Sequence, residues 1–142
     1  MFEIEQEIID RLKLKCGEHF STICSSFAIA EFEDDSELTP YAQTFPPIID
    51  LERSNCRDTV RFAMQWGVGV GVKSLPDAER TATAYRVAEG PVMAVINALQ
   101  NWRPPSAVSM LEIIDIGPPL VGGSVTEYNI TFRCRVEQRL SQ

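Results

Sequence analysis

Hydrophobic and polar residues alternate without interruption from residue 60 to residue 72. The apolar positions of this run are Val60, Phe62, Met64, Trp66, Val68, Val70 and Val72. Successive side chains of a β-strand point to opposite faces, so the run predicts a long strand with one buried face. Gly67, Gly69 and Gly71 fall on the other parity, where we expect an exposed strip that carries no side chains.

A second long alternation predicts a C-terminal strand over residues 126–136. Its inward positions are Tyr128, Ile130, Phe132, Cys134 and Val136. Weaker β patterns cover residues 22–32, 48–52 and 108–116. The acidic and proline-rich residues 31–47 predict a long loop, residues 54–58 a turn, and the Gly- and Pro-rich residues 117–123 another loop.

Two segments show helical spacing of apolar residues. The first covers residues 4–16, with Gly17 as the expected C-cap. The second covers residues 77–102, with Asp77 as N-cap and Trp102 at its end. The apolar stripe stays in phase across Gly90-Pro91, which favours one helix, and the proline predicts a kink in it.

The predicted order of elements is α, β, β, β, α, β, β. This order indicates the α+β class, with a mixed or antiparallel sheet, one long kinked helix packed on a face, and an N-terminal helix. A chain of 142 residues with 44% hydrophobic residues suits one domain, spanning residues 1–142.

Charge and hydropathy exclude several classes of protein. The chain has 13 basic and 20 acidic residues, a formal net charge of −7, which argues against sequence-specific binding of nucleic acid. It lacks an apolar run long enough to cross a membrane, and its acidic N-terminal residues do not resemble a secretory signal. We therefore expect a cytoplasmic protein with reduced thiols and no membrane partner.

The cysteines and the histidine raise the question of a metal site. Cys16, His19 and Cys24 lie close together in sequence, but structural zinc usually requires four ligands in two spaced pairs. Cys56 and Cys134 each stand alone, and Cys134 falls on the inward parity of a strand, where a thiol acts as a small apolar group. The spacing predicts no bound metal.

The glycine run Gly67, Gly69 and Gly71 resembles a phosphate-binding loop only superficially. The dinucleotide motif needs a third glycine that Val72 or Ser74 occupies here. The lysine-containing phosphate loop is also absent from the sequence. We expect no cofactor site.

Catalytic patterns are equally lacking in the sequence. His19 is the one histidine, and no serine has the G-x-S-x-G setting of a hydrolase nucleophile. The acidic residues Glu31, Glu33, Asp34, Asp35 and Glu37 do not match EF-hand spacing. We read them as a solvated loop and predict no catalytic residues, no cofactor and no enzymatic activity.

The arrangement of these elements resembles a known group of proteins. An N-terminal helix, a long alternating strand ending near Lys73, a long helix closing on Asn101-Trp102-Arg103-Pro104, and the strand at residues 128–134 are similar to small tail proteins of Mu-like phages and prophages. Those proteins belong with the phage tail terminator group. The nearest local signature is Phe-Ala-Met-Gln-Trp at residues 62–66.

The resemblance implies a structural role without catalysis. A tail terminator-like subunit would form a hexameric ring that caps the tail tube, fixes its length and offers a surface to the head. Its partners would be copies of itself, the tail tube and head-completion proteins, in the host cytoplasm and in the assembled virion tail. An acidic ring through which DNA passes would not retain it.

Two other classes remain open from the sequence. One is a head–tail connector or tail-completion subunit of the same kind of particle. The other is a cytoplasmic domain that binds a small molecule or peptide, or an enzyme with a diffuse site.

Overall fold

The computed structural model describes residues 1–31, 35–53, 57–74 and 82–140. Helices are α1 (Glu3–Cys16), the short α2 (Ser26–Ile29) and α3 (Ala82–Leu99), with 3₁₀ turns at Gly17–His19 and Asp35–Leu38. Strands are β1 (Thr22–Ser25), β2 (Tyr41–Thr44), β3 (Ile48–Glu52), β4 (Thr59–Lys73), β5 (Glu112–Ile116), β6 (Leu120–Gly122) and β7 (Val125–Arg139).

Two 15-residue antiparallel strands, β4 and β7, form the centre of the sheet. They pair along their whole length, from Thr59 opposite Arg139 to Lys73 opposite Val125. The alternation predicted for both strands is confirmed. Their buried positions share one face of the sheet: Met64, Trp66, Val68, Val70, Val72, Ile130, Phe132, Cys134 and Val136.

Each outer side of this central ribbon carries two short strands. Along the free side of β4 lie β2 and β3, and along the free side of β7 lie β6 and β5. Strand β1 extends the sheet beyond β2 in parallel orientation. The result is a seven-stranded mixed sheet, which confirms the predicted α+β class.

The helices α1 and α3 cover one face of the sheet, called the inner face below. Helix α1 buries Ile4, Ile8 and Leu12, and α3 contributes Val95 and Leu99 to the same core. Each of these five side chains is fully buried. Since apolar burial is the main favourable term in folding, this two-layer core holds the sheet in place.

The β prediction for residues 22–32 is wrong at residues 26–31, and residue 32 lies outside the described residues. The Ser25 hydroxyl accepts a 3.4 Å hydrogen bond from the Ala28 amide and caps the short helix α2. Serine is a preferred N-cap residue, so the local side-chain bond ends the strand here.

The loop predicted for residues 31–47 contains a strand. Strand β2 lies between β1 and β4, and all four of its residues are buried. A four-residue strand has no periodicity long enough to detect, and it exists because two neighbouring strands pair with it.

The predictions for residues 108–123 need two corrections. Strand β5 begins only at Glu112, with an irregularity between Ile113 and Asp115, and residues 120–122 of the predicted loop pair with β7 as β6. Val108 and Ser109 instead hold the Arg135 backbone. The Val108 amide donates to its carbonyl at 2.9 Å, and the Ser109 hydroxyl accepts from its amide at 2.8 Å.

Helix α3 runs without interruption through Gly90 and Pro91, as predicted; the kink stays a prediction. Its predicted N-cap, Asp77, lies outside the described residues. The predicted end at Trp102 is wrong, because the helix stops at Leu99 and Asn101 takes a left-handed conformation with φ 64°.

The predicted first helix does end at Cys16. Gly17 follows with φ −57° and begins a 3₁₀ turn, so it stays in the right-handed region. The predicted turn at residues 54–58 lies partly outside the described residues, and residues 57–58 form a turn.

Candidate functional site

Side chains from both flanks cover the glycines of β4, so the expected exposed strip is wrong. The face concerned is the one turned away from α1 and α3, called the outer face. A Cβ added at Gly69 would lie 2.9 Å from both Phe45 Cε2 and Glu127 Cδ, and one added at Gly71 would collide with the Tyr41 ring. The glycines therefore form a trench that neighbouring side chains fill.

The polar centre of this trench is the Glu127 carboxylate. Its Oε1 atom accepts a 2.8 Å hydrogen bond from the Tyr41 hydroxyl and a second bond from Gln43 Nε2. A hollow of about 290 Å³ opens here, bordered also by Leu120 and Val121 of β6. These two bonds join Tyr41 and Gln43 of β2 to Glu127 of β7 and fix the side chains that cover the glycines.

Charged pairs occupy the other half of the outer face. Arg61 Nε lies 2.5 Å from Glu137 Oε1, and Arg135 Nε lies 3.1 Å from Glu52 Oε1. They border a groove of about 490 Å³ together with Val108 and Ser109. Exposed ion pairs of this kind contribute about 0–1 kcal/mol each to stability, so their main effect is on what the surface can contact.

The β3 edge exposes three large apolar side chains. Ile48 is 62% exposed, Ile49 is 36% and Leu51 is 74%, and among the described strands β3 pairs with β4 alone. A strand edge presents unpaired backbone donors and acceptors, and natural proteins usually protect it. An unprotected apolar edge marks a surface for another chain.

A second apolar edge lies on the opposite side of the sheet. Ile114 and Ile116 of β5 are 41% and 48% exposed, and Leu120 and Val121 of β6 are 56% and 59% exposed. The two edges are separated by the full width of the β4–β7 ribbon. The molecule thus has two distinct surfaces that suit protein contacts.

The candidate metal ligands Cys16, His19 and Cys24 do not form a ligand set. Cys16 is buried in α1, where its thiol donates to the Leu12 carbonyl at 3.1 Å, while His19 is exposed and Cys24 is half-buried in β1. Among the residues that the structure describes, no three His, Cys, Asp or Glu side chains could share a metal ion. Cys56 lies outside those residues.

Burial controls the chemistry of the two core thiols. It raises the pKa of Cys16 to about 11 and that of Cys134 to about 11, with the Glu7 charge as a second cause at Cys134. Because the thiolate is the reactive form, these side chains act as apolar core groups. The inward position predicted for Cys134 is confirmed.

The acidic loop weighed as a cation site is only partly described. Glu31 and Glu37 are exposed, whereas Glu33 and Asp34 lie outside the described residues. Sequence reasoning instead missed Tyr41, Gln43 and Phe45. The alternation of their large side chains at positions 41, 43 and 45 was the available signal, since it matches the spacing of the glycines.

None of the helices in the described part of the chain is long and apolar enough to cross a membrane.

No protein-family model matches the chain, and no curated protein matches it. Among solved structures, a chain of the virion of a native gene transfer agent particle matches with a TM-score of 0.65 at 12% identity, covering 94% of each chain. A second solved chain matches at 15% identity with a TM-score of 0.42, covering 99% of this chain and 93% of that chain. The first likeness shows a shared fold over nearly the whole of both chains.

Proposed function

We propose that the chain is a structural subunit of a phage-like particle, a tail terminator-like protein that forms a ring, caps the tail tube and fixes its length. The observation that carries this proposal is the fold shared over 94% of both chains with a component of a gene transfer agent virion. A subunit of such a ring would act by assembly and not by catalysis.

The two apolar edges of the sheet support a ring. Contacts between a surface and a different surface of the next copy give a closed ring or an open filament. The β3 edge suits contact with a neighbouring copy, which leaves the β5–β6 edge for the tail tube or for head-completion proteins. Six copies close the ring in this proposal, and the acidic balance lets DNA pass without being retained.

Assembly of the purified full chain tests the proposal. Analytical ultracentrifugation across concentration should show a hexamer, and electron microscopy with purified tail tubes should show rings at tube ends. Leu51→Lys places a charge on the 74%-exposed position of the β3 edge and should prevent ring formation without lowering the melting temperature.

Phe27→Lys is the matched control, because Phe27 is 70% exposed on α2 and belongs to none of the strands β3, β5 and β6. It should assemble as the unmodified chain does. Rings that bind tail-less heads but never tube ends would favour the connector role instead. If the chain stays monomeric and does not bind tube ends even at high concentration, the proposed structural role is wrong.

A further inference from the structure

Charge is strongly segregated in this acidic protein. We define the ribbon end as the whole of β3, the start of β4 and the second half of β7, with the residues next to them. It comprises residues 48–53, 57–61 and 133–140. This region holds six arginines and four carboxylates, a net charge of +2, whereas the remainder of the chain carries −9. Opposite charges on separate surfaces of one subunit steer copies toward each other.

The ribbon end also exposes apolar side chains next to its arginines. Leu51 is 74% exposed and Leu140, directly after Arg139, is 49% exposed. Arg61 and Arg135 are held by Glu137 and Glu52, while Arg139 forms no ion pair with any residue that the structure describes. Arg139 and Leu140 therefore place one cation and one apolar group at the end of β7.

A groove of matching chemistry lies on the helical side of the molecule. It measures about 300 Å³ and is lined by Glu7, Asp10, Arg11, Leu14, Trp102 and Pro105. Leu14 is 76% exposed and lines this groove together with Trp102. We call this surface the α1 groove.

Of the two carboxylates at the α1 groove, that of Asp10 is exposed to solvent. The Arg11 guanidinium lies over the Trp102 ring, 5.2 Å from its centre, and its Nε donates to the Ala98 carbonyl at 3.0 Å. Glu7 accepts from the Ser106 amide at 2.7 Å, and Asp10 is exposed at the rim, held only by Gln6. The groove thus offers an apolar surface beside an exposed carboxylate. Such a surface suits contact with a leucine that is next to an arginine in sequence.

We infer that the ribbon end of one copy docks in the α1 groove of a second copy. Leu140 lies on Leu14 and Trp102, and the Arg139 guanidinium pairs with Asp10. The inference rests on the proposed function and adds the contact that closes the ring. A second copy is the occupant because the same chain supplies both halves of the complementarity: the ribbon end, with a net charge of +2 and the exposed Leu140, and the α1 groove, with Asp10 and its apolar lining.

Charge reversal on each side of the contact tests it. In Asp10→Arg, the new arginine in the groove repels Arg139 of the next copy. In Arg139→Asp, the net charge of the ribbon end falls from +2 to 0, and the new carboxylate repels Asp10 of the next copy. Each variant alone should assemble only at a concentration at least about tenfold higher than the unmodified chain, since like charges replace an ion pair. When the two variants are mixed in equal amounts, the groove of each Asp10→Arg copy can accept the ribbon end of an Arg139→Asp copy. In the other contact, Arg139 of the first variant meets Asp10 of the second, and both of these residues are unmodified.

Restored ring formation in the mixture, by ultracentrifugation and electron microscopy, is therefore the expected result. Glu18→Arg and Arg86→Asp are the matched controls, because both residues are exposed and outside the two surfaces. Melting curves establish that each variant folds. Rings from either single variant at the ordinary concentration, or a mixture that fails to assemble, would overturn this contact while the ring itself stands. Failure of the unmodified chain to form rings would remove the proposed function as well.

Discussion

The Tyr41 hydroxyl donates a 2.8 Å hydrogen bond to Glu127 Oε1, joining side chains 86 positions apart across β4. The bond passes over Gly71, which lies opposite both residues in the strand register. Glycine is required there because any side chain would occupy the space of the Tyr41 ring. The glycines of β4 are thus a packing feature that joins β2 to β7.

Gly71→Ala should destabilise the protein by about 1–3 kcal/mol, because the added methyl group collides with a ring that is only 2% exposed and cannot move aside. Chemical denaturation measures this change. In a Tyr41→Ala background the same substitution should cost much less, since the colliding ring is gone.

Gly90→Ala serves as the contrasting variant. A Cβ at Gly90 meets nothing within 4 Å, and the residue lies inside α3. Alanine should gain about 0.5–1 kcal/mol from its helix propensity, and the clash of its Cβ with the following Pro91 ring should offset part of this gain, so the net change in stability should be small. An equal loss of stability at both glycines would refute the packing account of Gly71.

Tyr41→Phe should lower the free energy of unfolding by about 0.5–1.5 kcal/mol, because it removes the hydroxyl that donates to Glu127 and leaves the ring in place. Denaturant titration compares it with the unmodified chain. Glu127→Ala should cost more, since it leaves the Tyr41 hydroxyl and the Gln43 amide without their acceptor. The reverse order would argue against the carboxylate as the centre of the trench.

Phe132→Ala should cost about 3–5 kcal/mol, because the Phe132 ring is fully buried between the sheet and the helices. Arg133→Ala, one position along β7, changes a half-exposed side chain 3.8 Å from Glu112 and should cost less than about 0.5 kcal/mol. Thermal unfolding followed by circular dichroism distinguishes the two. Equal melting temperatures would contradict the inward assignment of Phe132.

Alkaline pH should weaken the fold through its buried thiols. Burial raises the pKa of Cys16 and of Cys134 to about 11 from an ordinary value of 9.0. Above pH 9 the unfolded chain loses these protons while the folded chain keeps them, so stability falls as pH rises from 9 to 11. The loss is about 2 kcal/mol for each thiol.

Denaturant titrations at pH 8, 9, 10 and 11 measure this dependence. Cys16→Ala should show a shallower decline, since one of the two titrating groups is removed. A Cys24→Ala control keeps both core thiols and should retain most of the slope. An unchanged decline in Cys16→Ala would show that other groups cause it.

Long periodic elements were predictable from this sequence, because a pattern over many positions outweighs local exceptions. Helix α1 and strands β4 and β7 each repeat their apolar spacing several times. Strands β2 and β6 were missed because three or four residues hold too little periodicity. Their existence depends on the free sides of β4 and β7.

The surfaces proposed for assembly were harder to predict from the sequence than the long helix and strands. The alternation of β4 placed its glycines on one face correctly, but only the register with β2 reveals that Tyr41 lies over Gly71. Similarly, Leu14 and Leu51 look like ordinary core candidates in sequence, and only their exposure marks them as contact residues. Cross-strand register and exposure are set by the whole fold, beyond the reach of local pattern.

The central ribbon has a consequence for how the chain reaches its native state. Arg61 and Glu137 form an ion pair although they lie 76 positions apart in the sequence. The chain between β4 and β7 contains α3, β5 and β6, and it must form a loop that brings the two strands together before they can pair. No short hairpin turn connects these two strands, so their ladder can form only after a large loop has closed. Sheets dominated by such distant pairings fold slowly, on the scale of milliseconds to seconds. Until β7 arrives, β4 exposes a long apolar face, and newly made subunits pass through a stage in which aggregation competes with folding.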